Sequence, residues 1–118
     1  TQYWDMKAPT IKFLGEECTL TVRRYPNGRT GLQLWCDEGP MGTATRNIPE
    51  KKAAKDEAFI AGYSENEGMP EALVEAKIGE ITEEFQVGDF GARMAVMKIT
   101  HPWVLAQIAK LNEPQMTI

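Results

Sequence analysis

A turn flanked by two stretches of alternating residues constrains this chain more than any other feature. Residues 17–25 alternate apolar with polar side chains, and residues 30–37 do so again after Pro26, Asn27 and Gly28. This period of two is typical of strands that bury one face. Pro favours the first position of a turn, and Asn and Gly tolerate the left-handed backbone that turns need. The sequence therefore predicts a β-hairpin.

The length of the turn decides the register of this hairpin. A two-residue turn of Asn27 and Gly28 would oppose Leu20 to Trp35 and mix the two faces. A three-residue loop closed by Tyr25 and Arg29 instead opposes apolar to apolar residues. The resulting pairs are Val22 with Leu32, Leu20 with Leu34, and Cys18 with Cys36. We expect this register, with both thiols reduced and packed as small apolar groups. A redox switch is the alternative, which a reducing compartment disfavours.

Further strand signals lie on both sides of one central helix. Strands are expected over 10–14, 43–48, 58–61, 80–87 and 92–99. Residues 69–78 predict a helix, because Pro70 suits a first turn and Leu73, Val74 and Ile78 form an apolar stripe. We expect Asn66 or Ser64 to cap this helix and Gly79 to end it in the left-handed conformation. Residues 50–56 form a polar connection, and whether it holds a helical turn stays open.

A second helix is expected at the C-terminal end, over Trp103–Leu111, after the start signal of His101 and Pro102. Its apolar face consists of Val104, Leu105, Ile108 and Leu111, opposite Ala106, Gln107 and Lys110. A helix this short must pack on something to be stable. It packs either on the second face of its own sheet, where Thr21 and Trp35 point, or on a second subunit in a homodimer.

Together these elements predict an α+β fold in one domain, residues 1–118. We expect a mainly antiparallel sheet of five to six strands, with helix 69–78 packed on the face that carries Leu20, Val22, Leu32 and Leu34. Residues 1–9 are a possible N-terminal tail, and residues 102–118 are a helical extension.

Composition and charge restrict the function. Hydrophobic residues make up 42% of the 118 and charged residues 25%, as in ordinary soluble proteins. No apolar run approaches the roughly 18 residues of a membrane helix and no signal peptide is evident, so we expect a cytoplasmic protein without membrane contact. Residues 65–89 carry eight acids against Lys77 alone. This acidic segment, about a fifth of the chain, would repel nucleic acid; it is either a solvated face or a docking surface for a basic partner.

The sequence contains no recognisable catalytic or metal-binding motif. Two Cys and one His are too few for a four-ligand zinc site, and Glu65, Asn66 and Glu67 do not have EF-hand spacing. His101 lacks a sequence motif that would orient it as a base, so we expect a cap or surface residue. Neither a phosphate-binding loop nor a nucleophile elbow is present. We therefore expect a protein that is not an enzyme and has no cofactor or metal.

One part of the chain is similar to a known family. Ile48-Pro49-Glu50, a charged connection, and then an aromatic residue followed by Ser64-Glu65-Asn66-Glu67-Gly68 resemble an uncharacterised domain-of-unknown-function family of small proteins from gut bacteria, mobile elements and phages. Further matches are Leu73, Val74, Ala76, Gly79 and Gly91. The resemblance covers most of residues 12–99, and the chain departs from it by adding Pro102–Ile118. It implies an α+β fold and a phage or mobile-element origin, and it supplies no catalytic residues.

Two function classes follow. The first is a non-enzymatic binding protein that modulates a host or defence component through a protein–protein interface. The alternative is a small oligomeric protein that sequesters a nucleotide-like ligand, with arginines on its phosphates. The candidate contact residues are Arg23, Arg24, Arg29, Glu65, Glu67, Glu71, Glu75 and Trp103.

Overall fold

Seven strands and two helices make up residues 7–112, the part of the chain that the computed structural model describes. They are β1 (Thr10–Phe13), β2 (Glu16–Arg24), β3 (Thr30–Cys36), β4 (Gly39–Thr43), β5 (Glu57–Ala61), α1 (Met69–Glu75), β6 (Gly79–Val87), β7 (Ala92–Ile99) and α2 (Pro102–Leu111). Strands β1 to β4 form an antiparallel meander, and β5, β7 and β6 form a second antiparallel sheet with β7 in the middle. The predicted α+β class is confirmed. The predicted single sheet of five to six strands is wrong, because the strands divide into sheets of four and three.

The β2–β3 hairpin has the predicted register. The N–H of Tyr25 donates to the carbonyl of Arg29 at 2.8 Å, which closes a three-residue loop. Leu20 pairs with Leu34, and Val22 pairs with Leu32. Both leucine positions of β3 are buried, as the alternation predicts. The paired residues end at Thr19 with Trp35, one residue before the predicted pair of Cys18 and Cys36, and both cysteines are free thiols.

Strand β4 begins earlier than the predicted third strand of the meander. It spans Gly39–Thr43 rather than 43–48, and only two residues, Asp37 and Glu38, connect it to β3. The segment Ala44–Arg46 then leaves the first sheet and reaches the second. Its Ala44 N–H donates to the carbonyl of Leu32 in β3, and its Ala44 carbonyl accepts from Ala61 in β5, both at 2.8 Å. This segment therefore joins the two sheets through backbone hydrogen bonds.

The main core lies between the four-stranded sheet, one face of the three-stranded sheet and the two helices. Leu20, Leu32 and Leu34 belong to the same buried cluster as Leu73 of α1 and Val104 of α2. Helix α1 packs against β1, β5 and β6, whereas α2 packs against β2. The predicted burial of the apolar stripe of α1 holds for Leu73 and Ile78, but Val74 is 41% exposed.

Helix α2 packs on the face of the four-stranded sheet that carries Leu20, whereas the expected face of its own sheet was the one that carries Thr21 and Trp35. It buries Val104, Ala106 and Ile108, and the first and last of these join the cluster that contains Leu20. Thr21 and Trp35, on the other face of that sheet, are therefore not the surface that α2 covers. Leu111, expected on the apolar side, is 42% exposed. No helix within residues 7–112 is long and apolar enough to cross a membrane.

A second, smaller cluster covers the opposite face of the three-stranded sheet. Phe59, Met94 and Val96 are buried there, so β5 and β7 bury residues on both faces. Ile48 and Ala53, from the connection between β4 and β5, pack against them. The connection is formed by turns and bends and contains no helix. Its apolar contacts are therefore isolated side chains rather than a periodic stripe.

The start of α1 is not capped by a side chain. Gly68 occupies the N-cap position with φ 85°, and Ser64–Asn66 form a single 3₁₀ turn before it. Asn66, one of the two expected caps, is 2% exposed and donates from Nδ2 to the carbonyl of Thr43 at 2.8 Å. The expected cap is thus a tertiary contact that links the approach to α1 with the end of β4.

The end of α1 also differs from the prediction. Lys77, not Gly79, takes the left-handed conformation, with φ 62°. The N–H of Ile78 donates to the carbonyl of Leu73 at 3.0 Å and that of Lys77 to Val74 at 2.9 Å, the pattern of a Schellman motif. Gly79 begins β6 instead, and a Cβ there would collide with the carbonyl oxygen of Lys98. The glycine therefore permits close strand pairing.

Candidate functional site

A groove between helix α1 and strand β1 holds three of the predicted contact residues. All three glutamates are exposed: Glu71 and Glu75 lie four residues apart on one side of α1, and Glu67 lies just before the helix. Two adjoining depressions of about 130 Å³ and about 230 Å³ form the groove, and Lys12 and Ala72 line both. We call this surface the acidic groove.

The middle carboxylate of the acidic groove has an intramolecular partner. Arg93 of β7 binds Glu71 through two nitrogens, at 2.5 and 3.2 Å, and also binds Glu84 of β6 at 2.7 Å. The hydrogen bonds from Arg93 lower the pKa of Glu71, and in return they raise the pKa of Arg93. Glu67 and Glu75 form no ion pair with any residue that the structure describes.

An apolar side chain lies at one end of the acidic groove. Leu14 lines the larger depression and is 67% exposed. It forms the β1–β2 turn with Gly15, and both residues have positive φ, 53° and 79°. Two-residue hairpin turns of this kind favour Asn, Asp or Gly at such positions, so Leu14 is costly there. The sequence predicts a strand through Leu14 and a turn that begins at Gly15, whereas the turn begins one residue earlier.

A separate cleft of about 350 Å³ lies beside the loop of the β2–β3 hairpin. Arg23 and Arg24 both line it and both are exposed. Neither side chain has a hydrogen bond or ion pair among residues 7–112. Tyr25 forms part of the wall, and its hydroxyl is 3.0 Å from Oγ1 of Thr45. We call this feature the arginine cleft.

The structure places Arg29 and Glu65 apart from both surfaces. The guanidinium of Arg29 lies 5.5 Å from the centre of the Phe59 ring, on the smaller apolar cluster. Glu65 lies 3.9 Å from Arg46, which in turn lies over the ring of Tyr63. Arg29 and Arg46 thus each lie over an aromatic ring. Arg29 and Phe59 are far apart in sequence, so no sequence pattern predicts their contact.

Trp103 is half-buried and packs against the main core rather than forming an exposed anchor. Its backbone N–H donates to Nδ1 of His101 at 3.2 Å, so His101 is the N-cap of α2. This confirms the expected capping role. Burial lowers the pKa of His101, which favours the neutral ring that can accept this bond.

The remaining candidate chemistry is weak in this arrangement. Cys18 is buried, and desolvation together with nearby Cys36 raises its thiol pKa, which disfavours the reactive thiolate. Within residues 7–112, no group of three or more His, Cys, Asp or Glu residues is arranged to hold a metal ion.

Comparisons with protein-family models, with curated proteins and with solved structures found no match to this chain. The acidic groove and the arginine cleft are therefore the two features from which a function can be inferred.

Proposed function

We propose that the protein is a non-enzymatic binding protein and that its acidic groove holds a basic, extended segment of a partner protein. One observation carries this proposal. Glu67 and Glu75 lack intramolecular partners among the described residues, yet they flank the ion-paired Glu71 in a groove that ends at the exposed Leu14. The family resemblance adds a context, in which the partner is a host or defence component and the protein comes from a phage or mobile element.

Charge supports a basic partner. The groove is lined by three glutamates and by Lys12 of β1, and its α1 side belongs to residues 65–89, which carry eight acids and one lysine. Such a field speeds the association of a positively charged segment and opposes that of an acidic one. Arg93 already neutralises much of Glu71, so the attraction would come mainly from Glu67 and Glu75.

The position of β1 supports an extended segment. Strand β1 is an end strand of its sheet, so the outer edge of its backbone is not paired with another strand among residues 7–112. Thr10 and Lys12 of this strand line the groove beside α1. A peptide lying in the groove could therefore add to the edge of β1 through backbone hydrogen bonds while its basic side chains meet the glutamates.

Leu14 supplies the apolar part of the surface. A leucine in a left-handed turn costs stability through its backbone conformation, and its exposed side chain gains no burial energy in return. Contact with an apolar residue of the partner would offset part of that cost. The proposed segment therefore combines basic residues with at least one apolar residue at its end.

Selection from a random displayed-peptide library tests this proposal and does not require the partner to be identified first. The immobilised protein should enrich peptides rich in Lys and Arg that carry an apolar residue. A double variant, Glu67→Gln with Glu75→Gln, should lose this enrichment. The matched control, Asp37→Asn with Glu38→Gln, removes the same charge from the exposed β3–β4 turn and should keep it.

The same variants then serve for the natural partner. Proteins captured from a host lysate should bind the wild type and the turn variant, and should bind the groove variant at least tenfold more weakly in a direct titration. Equal binding by all three proteins, or enrichment of peptides without basic character, would exclude the acidic groove as the interface.

A further inference from the structure

The arginine cleft shares no lining residue with the acidic groove and has the opposite charge. We infer that it is a binding site for a small phosphorylated molecule of mononucleotide size. This inference does not depend on the proposed protein partner, since it rests on different residues.

The strand register gathers hydrogen-bond donors around the cleft. Arg23 pairs with Gly31, and Gln33 pairs with Thr43 across the next strand. Directly opposed residues, and residues two apart in one strand, lie on the same face of a sheet. The guanidinium, the amide and the hydroxyl of Arg23, Gln33 and Thr43 therefore share one face, and all three groups can donate to phosphate oxygens.

Gly31 makes room for the ring of Tyr25 beside these side chains. It lies in β3 directly opposite Arg23, and it lines the cleft. The Cβ of any other residue would lie 3.1 Å from the ring of Tyr25. The glycine thus lets the tyrosine ring pack closely against the backbone, where the hydroxyl is anchored near Thr45.

The charge of the lining favours an anion. Arg23 and Arg24 both line the cleft, whereas no Asp or Glu does, in a protein of net charge −4. An arginine that has no acidic partner is free to bind a phosphate through two parallel N–H groups. Arg24 follows Arg23 in the strand, so its side chain leaves on the other face and we expect it to contribute less.

The size of the cleft and its tyrosine favour a small ligand. A cleft of about 350 Å³ is at the lower end of ligand-binding pockets, which span roughly 300–1,000 Å³. The ring of Tyr25 offers an aromatic surface on which a base can stack. An extended nucleic acid is disfavoured, because the acids of residues 65–89 would repel its phosphates.

Isothermal titration with defined probes tests the inference. The probes are inorganic phosphate, adenosine, and the four ribonucleoside monophosphates, each titrated into the full chain at low salt. We expect at least one monophosphate to bind more tightly than phosphate alone, and adenosine to bind at least tenfold more weakly than AMP. Added salt should weaken the binding.

Three single variants identify the site. Arg23→Gln should weaken monophosphate binding at least tenfold, and Arg24→Gln should weaken it by a smaller factor. Lys52→Gln removes one exposed positive charge outside the cleft and should bind like the wild type. Unchanged melting curves would show that the variants are folded, and the Glu67→Gln and Glu75→Gln double variant should retain nucleotide binding.

Three results would overturn the inference. They are the absence of binding by every phosphorylated probe at millimolar concentration, equal affinity for phosphate and all monophosphates, and binding that Arg23→Gln leaves unchanged. None of these results bears on peptide selection by the acidic groove, so the two proposals can fail separately.

Discussion

The side-chain amide of Asn66 donates to the backbone carbonyl of Thr43 at 2.8 Å, across 23 residues of sequence. The amide is buried just before α1, while the carbonyl lies at the end of β4, where the chain passes between the sheets. Asn66 therefore ties the acidic groove's helix to the connection between the two sheets.

Replacing Asn66 with Ala should lower the free energy of unfolding by about 1–3 kcal/mol, because a buried hydrogen bond is lost. Urea denaturation measures the change. Asn47→Ala, at an exposed position, is the control and should change stability by only about 0.5 kcal/mol. An equal decrease in the free energy of unfolding for both variants would show that the hydrogen bond of Asn66 contributes no more to stability than an exposed side chain does.

Lys77→Gly should stabilise the protein by about 0.5–1 kcal/mol. Lys77 has φ 62°, and the left-handed backbone costs a residue with a side chain about 1–2 kcal/mol. Glycine avoids this cost, but its greater flexibility in the unfolded chain cancels part of the gain. Thermal unfolding of Lys77→Gly and of Lys77→Ala provides the comparison. Alanine retains the backbone cost, so an equal gain from both would contradict this explanation.

Stability should fall as the pH is lowered below the ordinary His pKa of 6.5. The pKa of His101 is lower in the folded state, so the unfolded chain binds this proton at a higher pH than the folded protein does. The contribution of His101 to stability is therefore complete above pH 6.5 and is lost as the pH falls toward the folded-state pKa. His101→Asn keeps a capping side chain but cannot titrate. Its unfolding free energy between about pH 7.5 and 5.5 should therefore be flatter than that of the wild type.

A further loss is expected at lower pH, where the depressed pKa of Glu71 makes its pairing with Arg93 sensitive to acid. This contribution is complete above the ordinary Glu value of 4.5 and disappears as the pH falls through the folded value. The two losses of stability therefore begin at different pH values, 6.5 for His101 and 4.5 for Glu71. A wild-type profile that is flat from about pH 7.5 to 5.5 would argue against a role for His101.

Leu14→Asn should separate stability from binding. Asn suits a left-handed turn before Gly15, so we expect a gain of about 0.5–1 kcal/mol in unfolding free energy. Loss of the exposed apolar side chain should at the same time weaken binding of peptides selected on the acidic groove. Val74→Asn, at an exposed position of α1 outside the groove lining, is the control for peptide binding. A Leu14→Asn protein that binds as well as the wild type would remove Leu14 from the interface.

The β2–β3 hairpin was predictable because two independent signals agreed on its register. Strand β4 was misplaced because Gly39 and Pro40 suggest a turn. Pro40 is tolerated there because β4 is an end strand, where a missing N–H leaves no neighbour unpaired. Local turn signals could not show which strand lies at the edge of a sheet.

The candidate site was predictable only in part, for a similar reason. Glu67, Glu71 and Glu75 were expected as contacts because they belong to the acidic residues 65–89, and the sequence did not place them beside β1. The partner of Glu71 is Arg93, 22 residues away on another strand, and no local pattern reveals that pairing. Arg29 likewise separates from Arg23 and Arg24, because its contact with Phe59 depends on how the two sheets meet.

The segment Ala44–Arg46 is hydrogen-bonded to both sheets. Its hydrogen bonds to Leu32 and Ala61 belong to different sheets, so fraying of either sheet at this point would break bonds of the other. Opening should therefore be cooperative across both layers rather than sequential. The amide protons of Ala44 and Ala61 should exchange with solvent at one common slow rate, close to that of the most protected amides in the protein.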